Sequence, residues 1–337
     1  MANPSGGSLS DFERPLEELR KQIEKVERLT REQGLERTKE ITELRAQEDR
    51  IIRELYENLS PWDKTQTARH PRRPYALDFI RLMLEEFTEL HGDRLFADDG
   101  AIVSGVGRLG DQWITVIGHQ KGRDAQERHK RNFGYAKPEG YRKALRLMRL
   151  SEKFNRPILC LIDTPGADPS VPSEERGISE AIARNLREMF LLKVPVICVI
   201  TGEGGSGGAL GIGVGDRVMM LEHAIYSVIA PEGCAAIIWK DPKRGAEAAE
   251  ALRITAQDAL DLGVIDEIIP EPPGAAHRDY DAAARLVREA VESSLAQLRG
   301  LPADELLEGR YRRFRKLGRF LEPGSNGAAP HQASHRP

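Results

Sequence analysis

Fourteen residues in the middle of the sequence, 202–215, read G-E-G-G-S-G-G-A-L-G-I-G-V-G, and eight of them are glycine. They follow an apolar run, 194–200, that predicts a buried strand. Because glycine has no Cβ, a substrate can approach the backbone closely. Backbone N–H groups in such a loop or at a helix start bind phosphates, or the oxyanions that form in acyl and carboxyl chemistry. The segment therefore predicts an anion-binding turn.

A dinucleotide site is a minor alternative for the same segment. Gly202, Gly204 and Gly207 satisfy G-x-G-x-x-G, and Glu222 lies at a suitable distance for a ribose contact. A dinucleotide fold, however, needs a full helix after the glycines, and residues 208–216 are too few and too rich in glycine.

The D-T-P-G sequence at 163–166 is similar to the D-x-x-G switch of GTPases. A GTPase also needs a Gly-Lys-Ser or Gly-Lys-Thr to hold the phosphates, and the sequence contains neither. The motif instead predicts a strand end that Pro165 and Gly166 force into a turn.

Two side chains are candidate nucleophiles. Ser206 lies in G-G-S-G-G, which satisfies the G-x-S-x-G of a hydrolase elbow, and His223 and His277 are downstream candidates for its base. This alternative stays open, although the segment holds more glycine than an elbow requires. Cys234, in P-E-G-C-A, has no neighbour that clearly activates a thiol, so a buried structural cysteine is favoured.

A basic loop follows the predicted strand that ends at Gly118. It reads H-Q-K-G-R and contains His119, Lys121 and Arg123. Such a loop beside the sheet could contact phosphate groups of a cofactor or substrate. A solvated basic surface explains the charges equally well.

Helices are predicted at the N-terminal end. Apolar residues recur at steps of three and four through 9–59, with Gly34 as the break of a helical hairpin whose charged faces are exposed. A further helix is expected from Asp78, with Phe87 and Leu90 among its apolar residues.

From residue 101 onward the pattern changes to strands and helices in alternation. Residues 102–109 and 112–118 predict a hairpin, and helices and strands then alternate up to 229. Short links between them predict right-handed βαβ units and a largely parallel sheet, with ligands at the carboxyl ends of its strands. After residue 270 we expect a helix at 281–298, an exposed basic run at 310–320 and a disordered tail at 322–337.

Composition narrows the class of protein. The 337 residues carry a formal net charge of −3, which gives no general case for nucleic acid or membrane binding. No apolar run approaches the ~20 residues that span a bilayer, and residues 1–10 contain no secretory h-region. The three cysteines form no C-x-x-C pair, so we expect no zinc site, no disulfide and a reducing cytoplasm.

The motifs together resemble one family, the alpha subunits of bacterial acetyl-coenzyme A carboxylase carboxyltransferases. The resemblance runs to about residue 317. It rests on the stretches A-R-H-P-R-R-P-Y (68–75), I-G-H-Q-K-G-R (117–123), N-F-G (132–134), P-E-G-Y-R-K-A-L-R-L-M (138–148), D-T-P-G-A (163–167), E-E-R-G (174–177), S-E-A-I-A-R-N-L-R-E-M (179–189), G-E-G-G-S-G-G-A-L (202–210) and P-E-G-C-A (231–235).

The resemblance implies an α/β crotonase (ClpP/crotonase-like) fold of stacked ββα units with an N-terminal helical hairpin. It implies transfer of a carboxyl group from carboxybiotin, on the biotin carrier protein, to acetyl-CoA, forming malonyl-CoA for fatty acid synthesis. It also implies a cytoplasmic complex of two alpha and two beta subunits that works with biotin carboxylase, with zinc on the beta subunit and no metal on this chain.

The resemblance also implies residue roles. Gly207 and Gly208 would donate backbone N–H groups to the biotin ureido oxygen, and Gly204 and Gly205 would shape the loop. Substrate contacts are expected from Gly166, Ala167, His119, Lys121 and Arg123. Where the family usually has an aromatic residue and then Pro-Gly after D-T-P-G-A, this chain has Asp168, Pro169 and Ser170, and Arg176 is a candidate to neutralise Asp168.

The expected organisation is a helical region at 1–60, the carboxyltransferase domain at 61–275, C-terminal helices at 276–321 and the tail at 322–337. Two other functions remain as alternatives. One is a stand-alone crotonase-like hydratase or thioesterase, which would need an acid–base Glu or Asp in the pocket. The other is a non-catalytic scaffold subunit, which would leave the glycine segment without a purpose.

Overall fold

The structure is a computed structural model, and it describes residues 11–33 and 37–318. At the N-terminal end, α1 (Arg14–Gln33) and α2 (Thr38–Glu57) pack against each other, as the apolar spacing predicts. Leu16 of α1 joins Ile52 and Tyr56 of α2 in a small apolar cluster that also includes Ala275. This cluster attaches the helix pair to the rest of the chain. Gly34, the predicted break, lies outside the described residues.

Two short helices come next. The first, α3 (Pro61–Ala68), begins with a capping box between Ser60 and Asp63, and the second is α4 (Ala76–Met83). The prediction that the second helix would carry Phe87 and Leu90 is wrong. The backbone becomes extended at Leu84, and Phe87 lies in an edge strand whose pairing with a neighbouring strand overrides its helical spacing.

The central sheet has eight strands. They are β1 (Glu86–Glu89), β2 (Ile102–Leu109), β3 (Gln112–His119), β4 (Ile158–Thr164), β5 (Val196–Gly205), β6 (Arg217–Leu221), β7 (Ile225–Ser227) and β8 (Glu267–Ile269). The order is β1-β2-β3-β4-β5-β6-β8, with β7 also paired to β5. The pairs β1–β2 and β2–β3 are antiparallel, and the remaining pairs are parallel. The predicted hairpin and largely parallel sheet are both confirmed.

Helices alternate with these strands and follow them along the chain. They are α5 (Ala125–Lys130), α6 (Pro138–Lys153), α7 (Val171–Glu175), α8 (Ile178–Met189), α9 (Ser206–Leu210), α10 (Pro231–Trp239), α11 (Gly245–Leu252), α12 (Ala256–Asp261), α13 (Tyr280–Leu298) and α14 (Ala303–Arg315). Every residue of β4 is buried, so the core lies around the middle of the sheet. Within the described part of the chain, no helix combines the length and apolar character needed to cross a bilayer.

The last helix is held by a buried arginine. Arg310 of α14 pairs with Asp216 at 2.8 Å and donates hydrogen bonds to backbone carbonyls, including that of Met189 at 2.6 Å. The prediction that the basic run from 310 is exposed is therefore wrong at Arg310, which is 1% exposed. The predicted tail, 322–337, lies outside the described residues.

Candidate functional site

A turn of glycines joins β5 to α9, and we call residues 204–208 the glycine turn. The strand β5 is longer than predicted, because Gly202 to Gly205 continue its extended backbone and pair with β4 and β7. Ser206 then adopts a φ of +50° and starts α9. The chain therefore changes direction within one residue at the carboxyl end of a central strand, where parallel sheets bind ligands.

The glycine turn packs backbone to backbone against the turn after β4. A Cβ on Gly205 would lie 2.3 Å from the Pro165 carbonyl oxygen, and one on Gly208 would lie 2.4 Å from the Gly166 carbonyl carbon. Neither position has room for a side chain. At Gly207, by contrast, the nearest atom to such a Cβ is Ile182 Cδ1 at 3.7 Å, so this residue faces open space.

The turn after β4 is itself fixed by hydrogen bonds. Thr164 Oγ1 accepts from the Gly166 N–H at 3.1 Å, and Ala167 forms a bridge with Ala136. The structure thus brings the predicted residues Gly166 and Ala167 directly against Gly208.

A buried network of charges lies beside the glycine turn. Lys121 Nζ contacts Asp163 Oδ1 at 2.7 Å and Glu203 Oε1 at 2.8 Å, and Arg69 Nε donates to the other oxygen of Glu203 at 2.7 Å. Arg69 also pairs with Glu232 at 2.5 Å. The three carboxylates and two cations thereby form one paired network that holds the end of β5 in place.

The network decides the protonation of Glu203. Burial alone would raise its pKa, but the charges of Lys121 and Arg69 and their hydrogen bonds lower the pKa to about 2. Glu203 is therefore a carboxylate at neutral pH and a poor proton donor. Burial raises the pKa of Asp163, against the opposing effect of Lys121.

Helix α9 offers backbone donors. The first N–H groups of a helix have no acceptor within that helix, and Gly207 and Gly208 occupy these positions. From behind, Asn185 Nδ2 donates to the Gly211 carbonyl at 2.9 Å, and the Tyr141 hydroxyl donates to the Gly208 carbonyl at 3.3 Å. The arrangement is held by these hydrogen bonds and can stabilise a negative charge through backbone donors alone.

The basic loop does not act as a unit. Lys121 reaches the carboxylates of Asp163 and Glu203 beside the glycine turn. His119 is completely buried, and burial together with the Lys121 charge lowers its pKa to about 3. Arg123 pairs with Asp78 and lies over the Tyr75 ring, 4.1 Å from its centre. The loop is thus neither a free phosphate clamp nor a fully solvated surface.

The hydrolase alternative is supported by the position of Ser206, but neither candidate histidine lies beside this serine as a base. Ser206 has the strained strand-to-helix position of an elbow nucleophile. His277, however, stacks on His70 at 3.9 Å, and His223 packs against the Tyr56 ring at 5.7 Å. Over residues 11–33 and 37–318, no hydrogen bond joins Ser206 to either histidine, so no triad is assembled.

Cys234 is buried and forms no disulfide, as expected for a structural cysteine.

Asp168 does not have the neutralising partner that was expected for it. Its Oδ2 accepts from the hydroxyls of Ser170 and Ser173, both at 2.5 Å, whereas Arg176 pairs with Glu139 at 2.6 Å. Arg176 therefore forms no ion pair with Asp168, against the expectation, and the two serine hydroxyls bind the Oδ2 of Asp168 instead.

Sequence reasoning missed Arg69 and Glu203 as members of the site. The signal was present, since Glu203 follows the apolar run that ends at Ile200 by three positions, and a charge in a buried strand must find a partner. The partner could not be read from the sequence, because Arg69 lies 134 positions away.

Known proteins share both this fold and much of this sequence. A family model described as acetyl co-enzyme A carboxylase carboxyltransferase-like matches residues 9–318. Among curated proteins, the acetyl-coenzyme A carboxylase carboxyl transferase subunit alpha of Geobacter sulfurreducens is 58% identical over 274 residues, 81% of this chain and 86% of the relative. The protein of the same name from Geobacter metallireducens is 53% identical over 312 residues, 93% of this chain and 98% of the relative.

Solved structures agree at the level of the fold. A Pseudomonas malonate decarboxylase hetero-tetramer in complex with coenzyme A has a TM-score of 0.57 at 17% identity, over 72% of this chain and 95% of that one. Transcarboxylase 12S has a TM-score of 0.53 at 19% identity, over 75% of this chain but only 44% of that one. The expected crotonase-type α/β fold is confirmed.

Proposed function

The chain belongs to the acetyl-coenzyme A carboxylase carboxyltransferase-like family, and we propose that its glycine turn stabilises the negative charge that develops on biotin during carboxyl transfer. The activity is that of a carboxyltransferase, which moves a carboxyl group from carboxybiotin to acetyl-CoA and forms malonyl-CoA. The proposal assigns the parts of this reaction to individual residues of the chain.

Gly207 and Gly208 are the proposed donors. As carboxybiotin gives up its carboxyl group, charge collects on the ureido oxygen, and the two N–H groups at the start of α9 would hydrogen-bond to it. One such donor contributes about 3–4 kcal/mol to transition-state stabilisation. The α-proton of acetyl-CoA can pass to the biotin anion, so the chain needs no base of its own.

The single observation that supports this proposal is the start of α9. Its N–H groups have no acceptor within the helix, and the nearest neighbour of a Cβ at Gly207 is an Ile182 methyl group. Gly204 and Gly205 shape the turn, and Gly166 and Ala167 form its opposite wall. Lys121 would act by positioning Glu203. Arg123 would hold the backbone carbonyls of Pro71 and Arg73, and His119 would support the backbone at Gly208.

The ionised Glu203 also argues against the hydratase alternative. A stand-alone hydratase needs a carboxyl group that gains and loses a proton near neutral pH. The pKa of Glu203 is about 2, which keeps it charged throughout that range.

A second subunit completes the proposed site. Carboxyl transfer creates a second oxyanion, on the thioester of acetyl-CoA, and the described part of this chain offers one glycine turn. We place the second set of donors on a beta subunit that carries zinc, in a cytoplasmic assembly of two alpha and two beta chains. The biotin carrier protein and biotin carboxylase would supply the carboxybiotin, and the domain 61–275 would carry this chain's share of the site.

The test compares this chain alone, the beta subunit alone and the two together in carboxyl transfer to acetyl-CoA. Activity should require both subunits, and a pull-down from the native host should contain them in equal amounts. Malonyl-CoA decarboxylation by the purified chain alone, at a rate near that of the complex, would contradict the proposal.

A further inference from the structure

A cleft lined by arginines lies between α6, α8 and the loop around residue 93. Its volume is about 380 Å³, within the range of small-molecule sites. Five arginines line it: Arg94, Arg142, Arg146, Arg149 and Arg184. No local motif in the sequence reveals this site, because its members come from three separate segments.

Most of this positive charge is not neutralised. Arg149 pairs with Glu188 at 2.8 Å, and Arg142 lies 4.0 Å from Glu139. Within residues 11–33 and 37–318, no ion pair to a carboxylate within 4.0 Å is formed by Arg94, Arg146 or Arg184. The one carboxylate in the lining is Asp93. Its Oδ1 accepts from three backbone N–H groups of its own loop, at 2.8–3.1 Å, and its Oδ2 is a buried oxygen without a hydrogen-bond partner in the described residues. One carboxylate therefore faces several arginines, and the lining keeps a positive net charge.

Two of the arginines repel each other. Arg94 Nη1 and Arg146 Nη2 both donate to the His91 carbonyl, at 2.9 Å and 3.1 Å. Burial and the Arg94 charge lower the pKa of Arg146, against the opposing charges of Asp98 and Asp93. Arg94 also holds a φ of +64°, a backbone conformation that is unfavourable for a residue with a side chain. An anion between the guanidinium groups would relieve the repulsion.

The cleft is separate from the glycine turn. Its floor contains Leu145 and Ala181, both at least nine-tenths buried, and Asn185. Asn185 and Tyr141 stand between this floor and α9, since the Asn185 amide donates to the carbonyls of Tyr141 and Gly211. A ligand in the cleft is therefore not one of the reacting groups at the turn.

We propose that this cleft binds the diphosphate group of a small anionic molecule. Planar guanidinium groups match phosphate oxygens in pairs, and three arginines without carboxylate partners suit a group with several negative charges. Leu95, which is 77% exposed at the rim, can contact an apolar part of the same ligand. The inference goes beyond the proposed function and does not depend on it.

The test measures binding of inorganic pyrophosphate to the complex of this chain with its partner subunit, by calorimetry at constant ionic strength. Arg184→Gln should weaken binding about tenfold, since it removes one charged contact from the cleft. Arg184→Lys should recover part of the loss. Arg184 is an exposed residue of a helix that tolerates glutamine, so the fold should be unaffected.

Arg187→Gln is the matched control. It removes the same charge from the same helix but lies outside the cleft lining. Pyrophosphate affinity should be unchanged in this variant. The proposal is overturned if pyrophosphate shows no saturable binding to the complex, or if Arg184→Gln and Arg187→Gln weaken it equally, which would indicate general electrostatic attraction.

Discussion

Gly207 and Gly208 are neighbours in one short helix, yet their surroundings predict different consequences of substitution. In Gly207→Val the Cβ meets only Ile182 at 3.7 Å, so the protein should fold, but the branched side chain would occupy the space in front of the N–H donors. Loss of one donor predicts a fall in kcat of about 100- to 1,000-fold. In Gly208→Val the side chain would collide with the Gly166 backbone, so the melting temperature should fall as well. Kinetics and thermal unfolding of both variants in the assembled complex check this.

Ser206→Ala is the control for this pair. No acyl-serine forms in carboxyl transfer, so the variant should keep kcat within about threefold, an effect below about 1 kcal/mol. A loss as large as that of Gly207→Val would instead support the hydrolase elbow. Near-normal kcat in Gly207→Val would show that the donors lie elsewhere.

Asp168 is expected to matter for stability. The residue is 7% exposed, and its carboxylate accepts hydrogen bonds from two serine hydroxyls. Asp168→Tyr would leave those hydroxyls unpaired and crowd the site, and should lower the free energy of unfolding by about 2 kcal/mol. Asp168→Asn should cost less. Urea unfolding at neutral pH measures both, and a stable Asp168→Tyr protein would contradict the prediction.

The pH dependence gives a second check on Asp168. Burial opposes ionisation, but the bonds from Ser170 and Ser173 outweigh it, so the folded pKa is lowered below 3.8. A carboxyl with a lowered pKa stabilises the fold above its unfolded pKa and loses that contribution as the pH falls through its folded pKa. The difference in unfolding free energy between the wild type and Asp168→Asn should therefore shrink below about pH 3.8.

At the scale of elements, Arg310 joins α14 to the start of β5. Arg310→Met would leave the Asp216 carboxylate buried without its cation, and should lower the free energy of unfolding by about 3–5 kcal/mol. Arg312→Gln, which removes an exposed pair with Glu308 on the same helix, should change it by less than about 0.5 kcal/mol. Urea unfolding of the two variants separates these outcomes. Equal effects would mean that α14 contributes little through Arg310.

Apolar periodicity and turn residues predict most of the helices and strands. The predictions fail where contacts with residues far away in the sequence determine the structure. The hairpin around Gly110 and the strands β4 and β5 arise from local pattern. Phe87 has helical spacing but pairs with β2, and Arg310 is in a basic run but meets Asp216, 94 positions away. The same limit applies to the site. The glycines are visible in the sequence, whereas the partners of Glu203 are not.

At the scale of the whole molecule, buried histidines should lower the free energy of unfolding as the pH becomes mildly acidic. Burial lowers the pKa of His119 from 6.5 to about 3, and burial with the nearby His277 lowers the pKa of His70 to about 3. Between pH 6.5 and 3 the unfolded chain binds protons at these residues that the folded chain does not. Each should therefore reduce the free energy of unfolding by about 1.4 kcal/mol for every pH unit below about 6.5.

Other titrating side chains also change the pH dependence of the unfolding free energy, but they do so equally in the wild type and in a histidine variant. Glu203 and Glu271, with pKa values of about 2, lose their stabilising contribution only below about pH 4.5, and Asp163, with a raised pKa, acts in the opposite direction. Replacing one histidine isolates its own share. His119→Met fills the same buried position with an apolar side chain and removes the group that takes up the proton.

The contribution of His119 is measured by urea unfolding at about pH 7.5, 6.5, 5.5 and 4.5. The proteins compared are the wild type, His119→Met and the surface variant His129→Gln. His119→Met should lose stability less steeply than the wild type between about pH 6.5 and 4.5, by about 1.4 kcal/mol per pH unit, because its unfolded state no longer takes up that proton. His129 is exposed on α5, so its variant should behave like the wild type. Parallel curves for wild type and His119→Met would mean that His119 takes up its proton in the folded protein as readily as in the unfolded chain, and hence that water reaches a side chain that the structure shows as buried.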